Sequence, residues 1–81
     1  MTVTVRLFAG AKDLAGSDLV QVEVPQGATV AHLRNQLAVS IPALGVLLER
    51  SAIAINGEFA TESGGIQETD EIALVPPVSG G

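Results

Sequence analysis

Apolar and polar residues alternate at the start of the chain, where every second residue from Val3 to Leu7 is apolar. A period of two is typical of a strand with one face on the core, so we predict a first strand over residues 2–9. The alternation returns over residues 19–24, which predicts a second strand. Residues 10–18 between them contain two glycines and mixed charge, which indicates a long turn in a hairpin.

The following segment has the spacing of a helix, with apolar positions at Val30, Leu33 and Leu37. Thr29 is a good residue to cap its amino end. His32 stands where a complete capping box has Glu or Gln, so we expect an adequate but incomplete cap. The helix should end by Ser40, because Pro42 disfavours helical geometry at the residue before it.

The second half of the chain predicts three short strands. Residues 42–50 are apolar enough to hold a short helical turn. Residues 52–55 and 58–60 flank Asn56-Gly57, and this dipeptide accepts the positive φ angles of a type I′ hairpin turn. Residues 71–75 then predict the last strand.

The predicted order is ββαβββ, which indicates an α+β domain with one main helix packed on one face of a mixed sheet. The right-handed crossover rule makes the first and last strands parallel neighbours in the middle of that sheet. This arrangement is the β-grasp, or ubiquitin-like, fold. A ferredoxin-like fold is disfavoured because it needs a second helix of comparable length. We predict a domain over residues 1–75 and an extended, flexible tail over residues 76–81.

The tail consists of Pro76, Pro77, Val78, Ser79, Gly80 and Gly81. The two prolines cannot donate ladder hydrogen bonds and favour extended geometry, so the sheet should stop and the tail should project. Glycine lacks Cβ and can thread a narrow channel. The Gly81 carboxylate is therefore a candidate for activation with ATP as an acyl-adenylate, followed by attack of a sulfur or nitrogen nucleophile. The alternative is a frayed terminus.

Composition narrows the classes of function. The chain of 81 residues contains no cysteine, which excludes disulfides, thiolate metal sites and cysteine nucleophiles and fits a reducing cytosol. We see no membrane span and no basic leader, and we expect a cytoplasmic protein. The formal charge of −5 argues against binding to nucleic acid or to an anionic membrane, although it also simply maintains solubility.

The body of the domain shows no convincing catalytic constellation. His32 is the only histidine, and its neighbours indicate an exposed residue. The glycines fit neither the phosphate-binding loop nor the dinucleotide fingerprint. Glu68, Asp70 and Glu71 form an acidic cluster that we interpret as a solvated turn, with docking to a basic partner as the alternative. We therefore expect no metal, no bound cofactor and no enzyme active site in this chain alone.

An apolar surface is predicted beside the tail. Because Val3, Val5 and Leu7 would face the core, Arg6 and Phe8 should lie on the opposite face of the sheet. Ala73 and Val75 should share that outer face, where Phe8 and Val75 form part of an exposed apolar patch, and Phe59 is expected to extend it. The alternative is that loops cover both phenylalanines.

Several segments of the chain resemble the small subunit of molybdopterin synthase, the sulfur carrier of the ThiS/MoaD family. They are residues 5–9 (VRLFA), 15–16 (AG), 25–30 (PQGATV), 56–58 (NGE) and, above all, 70–81 (DEIALVPPVSGG). The similarity covers nearly the whole chain. A terminal Gly-Gly alone is shared with thiamine sulfur carriers and ubiquitin-like modifiers.

The resemblance implies a role in molybdenum cofactor biosynthesis. In the family, an ATP-dependent E1-like adenylyltransferase activates the terminal carboxylate, here that of Gly81, which is converted to a thiocarboxylate. Glycyl adenylate and 1-thioglycine would be transient covalent states of this nucleotide-handling terminus. The tail then enters the large subunit, within a heterotetramer, and donates sulfur to cyclic pyranopterin monophosphate.

The resemblance also implies which residues meet the partners, since the family uses the first strand, the following loop and the last strand. Phe8, Lys12, Phe59 and Val75 are the interface candidates by position. The chain departs from the family pattern at Lys12, where arginine is frequent, and at Thr69, where glycine is common. Three alternatives stay open: a sulfur carrier for another pathway such as thiazole synthesis, a modifier that forms isopeptide bonds with lysines, and an interaction module with an inert tail.

Overall fold

A computed structural model describes residues 1–77 of the chain and shows five strands with a helical layer. In chain order the elements are β1 (Thr2–Leu7), α1 (Ala9–Ala15), β2 (Leu19–Glu23), α2 (Val30–Ser40), a 3-10 turn (Pro42–Leu44), α3 (Gly45–Arg50), β3 (Ala52–Ile55), β4 (Glu58–Phe59) and β5 (Ile72–Val75).

The strands form one mixed sheet in the order β2-β1-β5-β3-β4. β1 and β5 are parallel in the middle of the sheet, whereas β2, β3 and β4 each pair antiparallel with their neighbours. This confirms the predicted pairing of the first and last strands and the β-grasp class. The connection through α2 places β3 beyond β1 in the sheet, and β5 then fills the position between β1 and β3.

The hydrophobic core lies between one face of the sheet and the helices. Its sixteen buried apolar residues are Val3, Val5, Leu7, Ala11, Val22, Val24, Ala28, Val30, Leu33, Leu37, Leu44, Leu48, Ile53, Ile66, Ile72 and Leu74. None is aromatic, as the composition requires. The alternation in β1 and β5 sends the intervening residues to the opposite face, which no helix covers within the described part of the chain.

The predicted long turn at residues 10–18 is wrong, because α1 occupies most of it. Phe8 accepts hydrogen bonds from the backbone N–H groups of Ala11 and Lys12 through its carbonyl. Ala11 is fully buried in the core. This burial stabilises a helix that Gly10 by itself would disfavour. Gly16, with φ of 74°, ends the helix in the left-handed conformation. The first strand accordingly stops at Leu7, before the predicted end at residue 9.

The main helix begins and ends as predicted, and its cap is more complete than expected. Thr29 Oγ1 accepts from the His32 backbone N–H at 3.3 Å, while the Thr29 N–H donates to His32 Nδ1 at 3.3 Å. An imidazole nitrogen thus replaces the carboxylate of the usual capping box. Residues 42–50 are more helical than the single predicted turn.

Arg34 joins α2 to the end of α3 and to the loop after β4. Its guanidinium donates to the carbonyl oxygens of Leu48 and, at 2.8 Å, Ser51. It also makes a bidentate pair with Glu62, at 2.9 Å from Nε and 2.8 Å from Nη2. A cation at the carboxyl end of α3 is favourable because carbonyl oxygens point outward there; the Leu48 carbonyl also accepts the Ser51 N–H at 3.3 Å.

Candidate functional site: the open sheet face and the carboxyl-terminal segment

The strand that leads into the tail lies at the centre of the sheet. β5 is flanked by β1 and β3 and ends at Val75. Pro76 is half-buried, Pro77 is exposed, and neither belongs to a strand. The sheet therefore stops where the sequence predicted. The predictions for Val78, Ser79, Gly80 and Gly81 lie outside the described residues.

A row of five side chains crosses the open face, one from each strand. The register aligns Phe59 with Ala54, Ala54 with Ala73, Ala73 with Arg6, and Arg6 with Leu19. Cross-strand neighbours on one face lie close enough for their side chains to interact. The two central members are alanines, so the middle of the row is lower than its ends.

This low centre is a depression of about 410 Å³, which we call the alanine socket. Ala54 and Ala73 form its floor, because both point away from the core and have only a methyl group. Arg6 and Leu19 border it on the β1 and β2 side, while Asp70 and Glu71 border it at the start of β5. Its apolar floor and charged rim resemble the general anatomy of a protein interface.

The acidic border is held in place by the hairpin turn between β3 and β4. Asn56 Nδ2 donates to Asp70 Oδ1 at 3.0 Å, and Asn56 Oδ1 accepts from the Glu71 N–H at 2.9 Å. Asn56 and Gly57 have φ angles of 52° and 84°, which confirms the predicted positive-φ turn. The Asn56 N–H also donates to the Glu71 carbonyl at 2.7 Å. The acidic cluster is thus an ordered turn at one end of the socket.

Three of the predicted interface residues are exposed, and the fourth, Val75, is half-buried. Phe8 is 45% exposed and follows β1 in extended geometry, beside the end of β5 at Val75. Phe59 is 75% exposed and lies two strands from β5, across β3. Lys12 is exposed on α1. No loop covers either phenylalanine among the described residues, so that alternative is excluded.

Four residues of the socket were missed as candidates from sequence, namely Arg6, Leu19, Ala54 and Ala73. The alternation predicts Arg6 and Ala73 on the outer face, but it does not predict their register with each other or with Leu19. The signal that was available is the alternation itself, which sends Ala54 and Ala73 outward once Ile53 and Leu74 are placed in the core.

Residues 1–77 give little support for a metal site or for a membrane-spanning helix. In that part of the chain no group of three or more His, Asp or Glu residues is placed to hold a metal ion. Its helices are all too short or too polar to cross a membrane. His32 caps α2 and stands apart from the socket.

Comparison with known proteins identifies the family. The model of the ThiS family matches residues 5–81, which includes the Gly80-Gly81 end. The chain belongs to the ThiS family. The resemblance seen in the sequence is confirmed by the molybdopterin synthase sulfur carrier subunit of Arabidopsis thaliana, which is 34% identical over 98% of this chain and 82% of that protein.

Two further similar proteins bear on the site. Small archaeal modifier protein 1 of Haloferax volcanii is 38% identical over 94% of this chain and 97% of that protein. Its crystal structure matches with a TM-score of 0.87 over the whole of both chains. A protein complex of subunits 1 and 2 of molybdopterin-converting factor from Helicobacter pylori contains a chain that matches with a TM-score of 0.70 and 27% identity, with full coverage of both chains.

Proposed function

We propose that this ThiS-family chain is the sulfur carrier subunit of a molybdopterin synthase, and that the Gly81 carboxylate is its reactive group. The observation that carries the proposal is the family match through residue 81, which includes the Gly-Gly end. Sulfur carrier subunits of molybdopterin synthase at 30–36% identity support it. The position of β5 also supports it, because a central strand holds the base of the tail in the most stable part of the sheet.

The proposed chemistry uses no side chain of the carrier. An E1-like adenylyltransferase transfers AMP from ATP to the Gly81 carboxylate and releases pyrophosphate. Hydrosulfide supplied by the sulfur donor then attacks the acyl carbon and expels AMP, and loss of its proton leaves a thiocarboxylate. In the large subunit the thiocarboxylate sulfur forms a C–S bond with a carbon of cyclic pyranopterin monophosphate as an oxygen substituent leaves that carbon. Water then cleaves the acyl–sulfur bond, which restores the Gly81 carboxylate and leaves the sulfur on the pterin.

The chain's own residues hold and present this terminus. The core fixes β5 between β1 and β3, and Pro76 and Pro77 prevent the ladder from continuing. From Val75 the chain has six more residues, which span at most about 21 Å when extended. A large subunit that binds the open face can therefore receive Gly81 in an active site at that range. The complex of subunits 1 and 2 from Helicobacter pylori supports a large-subunit partner.

The test is intact-mass analysis after incubation with a cognate adenylyltransferase, ATP and a sulfur donor. We expect a mass gain that matches exchange of one oxygen for sulfur, located at Gly81 by fragmentation. A chain with Gly81 deleted is the control, and it should keep its circular dichroism spectrum because the buried core residues found within residues 1–77 lie between Val3 and Leu74. No adenylate and no thiocarboxylate on the intact chain would refute the proposal.

A second candidate, a protein modifier, is favoured by the similarity to small archaeal modifier protein 1. In that case an amine would attack the activated Gly81 and form an amide bond. Lys12 is the only lysine of the chain and is exposed on α1, so links between copies through a lysine can form only there. Conjugates to lysines of other proteins, together with self-conjugates abolished by Lys12→Arg, would favour the modifier over the carrier.

A further inference from the structure

We propose that the alanine socket docks one protruding apolar side chain of the protein that receives the tail, and that Arg6 binds a carboxylate of the same partner. This inference rests on the proposed function. It assigns the docking surface to the centre of the open sheet face, beyond the edge residues Phe8, Lys12, Phe59 and Val75.

The shape of the socket favours a single inserted side chain. The floor of Ala54 and Ala73 is bordered by the much larger Arg6 and Leu19 on one side and by Asp70 and Glu71 at the start of β5. The depression of about 410 Å³ has room for a leucine, methionine or phenylalanine side chain. Binding energy in protein interfaces is concentrated where such anchors fill central pockets.

The charge of Arg6 indicates which group of the partner should lie beside its inserted apolar side chain. Among residues 1–77, the salt bridges are Arg34 with Glu62 and the terminal amine with Glu23, so the Arg6 guanidinium has no acidic partner there. A guanidinium presents a planar fork of donors that fits a carboxylate. Asp70 and Glu71 at the other border repel that carboxylate and attract a cation. The partner should therefore carry an acidic group on the Arg6 side of its apolar anchor.

The socket includes part of β5, the strand that leads into the tail. Ala73 belongs to β5 and precedes Gly81 by eight positions. Eight extended residues span at most about 28 Å, which limits how far the partner's active site can lie from its docking side chain. When the partner binds at the socket, the Gly81 carboxylate can therefore reach only an active site of that partner that lies within this distance of its docking side chain.

The test is a binding titration of the carrier with its large subunit, with the Gly81 carboxylate unactivated. Ala73→Leu fills the socket from an outward-facing position, and we expect the affinity to fall about tenfold or more. Ala43→Leu adds the same atoms at an exposed site of the 3-10 turn, away from the sheet face, and should leave the affinity unchanged. Circular dichroism verifies that both variants are folded.

Arg6→Glu provides an independent arm, because it does not alter the floor. We expect it to weaken binding about tenfold or more, and Arg6→Ala should reduce the dependence of affinity on salt. Arg50→Glu, an exposed arginine at the end of α3, is the matched control and should have little effect.

Wild-type affinity in both Ala73→Leu and Arg6→Glu would overturn the inference, as would failure of the wild-type chain to bind the large subunit. A chain that dimerises through this face, with the dimer lost in Ala73→Leu, would assign the socket to a second copy and also overturn it. The titration needs no activated terminus. Unchanged docking of the variants therefore refutes only this inference, whereas absence of sulfur at Gly81 refutes only the proposed function.

Discussion

Replacing Arg34 with methionine tests the contact that joins the helical layer to the loop after β4. Methionine keeps the length and the apolar stem of the side chain and removes its charge and its five donors. The change leaves the carbonyl oxygens of Leu48 and Ser51 without the guanidinium, in a partly buried site. It also frees Glu62, whose side chain is 55% exposed.

The two groups of contacts differ in expected magnitude. Hydrogen bonds from a charged donor contribute about 1.5–3 kcal/mol each, and the arginine side chain is 21% exposed. Because the Leu48 carbonyl keeps its hydrogen bond from the Ser51 N–H, we reduce the sum of the two carbonyl contacts from about 3–6 to roughly 2–4 kcal/mol. The pair with Glu62 is more exposed and should contribute about 0.2–1 kcal/mol. Arg34→Met is expected to lower Tm by roughly 10–25 °C, and Glu62→Gln by only a few degrees.

Thermal unfolding gives Tm and urea denaturation gives the free energy of unfolding of both variants. Both are followed by far-ultraviolet circular dichroism, since the chain contains no tryptophan or tyrosine for fluorescence. Arg50→Met is the control for loss of one positive charge and should change the free energy of unfolding by less than about 0.5 kcal/mol. If Glu62→Gln destabilises the domain as much as Arg34→Met does, the two carbonyl contacts contribute little to stability. That result would refute the larger stabilisation assigned to them.

Three other predictions concern the packing and the charges. The hydrogen bond from Arg34 lowers the pKa of Glu62 below its ordinary value of 4.5, so the stability that this pair adds is complete above pH 4.5 and is lost as pH falls through the lowered pKa. Denaturation midpoints of wild type and Glu62→Gln should converge in acid; a constant difference would contradict this. Leu37→Ala should cost about 2–5 kcal/mol because it opens a cavity in the core, whereas Val39→Ala, at an exposed position of the same helix, should cost far less. Phe59→Ala should change stability by less than about 0.5 kcal/mol and weaken binding to the large subunit, and a large loss of stability would show that its ring packs on the fold.

Local patterns predicted most of the sheet. The alternation in β1, the cap at Thr29 and the Asn56-Gly57 turn each depend on neighbours within a few residues, and all three were predicted in the correct place. The helix α1 was missed because its stability comes from burial of Ala11 against elements distant in sequence. Gly10 and the mixed charges of that segment indicate a turn when they are considered without that contact.

The candidate site divides in the same way. The terminal Gly-Gly, the two prolines before it and the absence of cysteine are properties of the sequence alone, and they are sufficient to direct attention to the carboxylate of Gly81. The interface candidates Phe8 and Phe59 also came from sequence, and both side chains are exposed.

The sequence by itself determined the order of the strands, their inward and outward faces and the chemistry of the tail, because these depend on local conformational preferences and on the pattern of apolar residues. Only the tertiary structure decided that Arg6, Ala54 and Ala73 form one row beside Leu19 and Phe59. The strand register places Arg6 beside Ala73, although these residues are 67 positions apart in the sequence. No local conformational preference encodes that pairing. The alanine socket exists because two small residues were paired by the sheet.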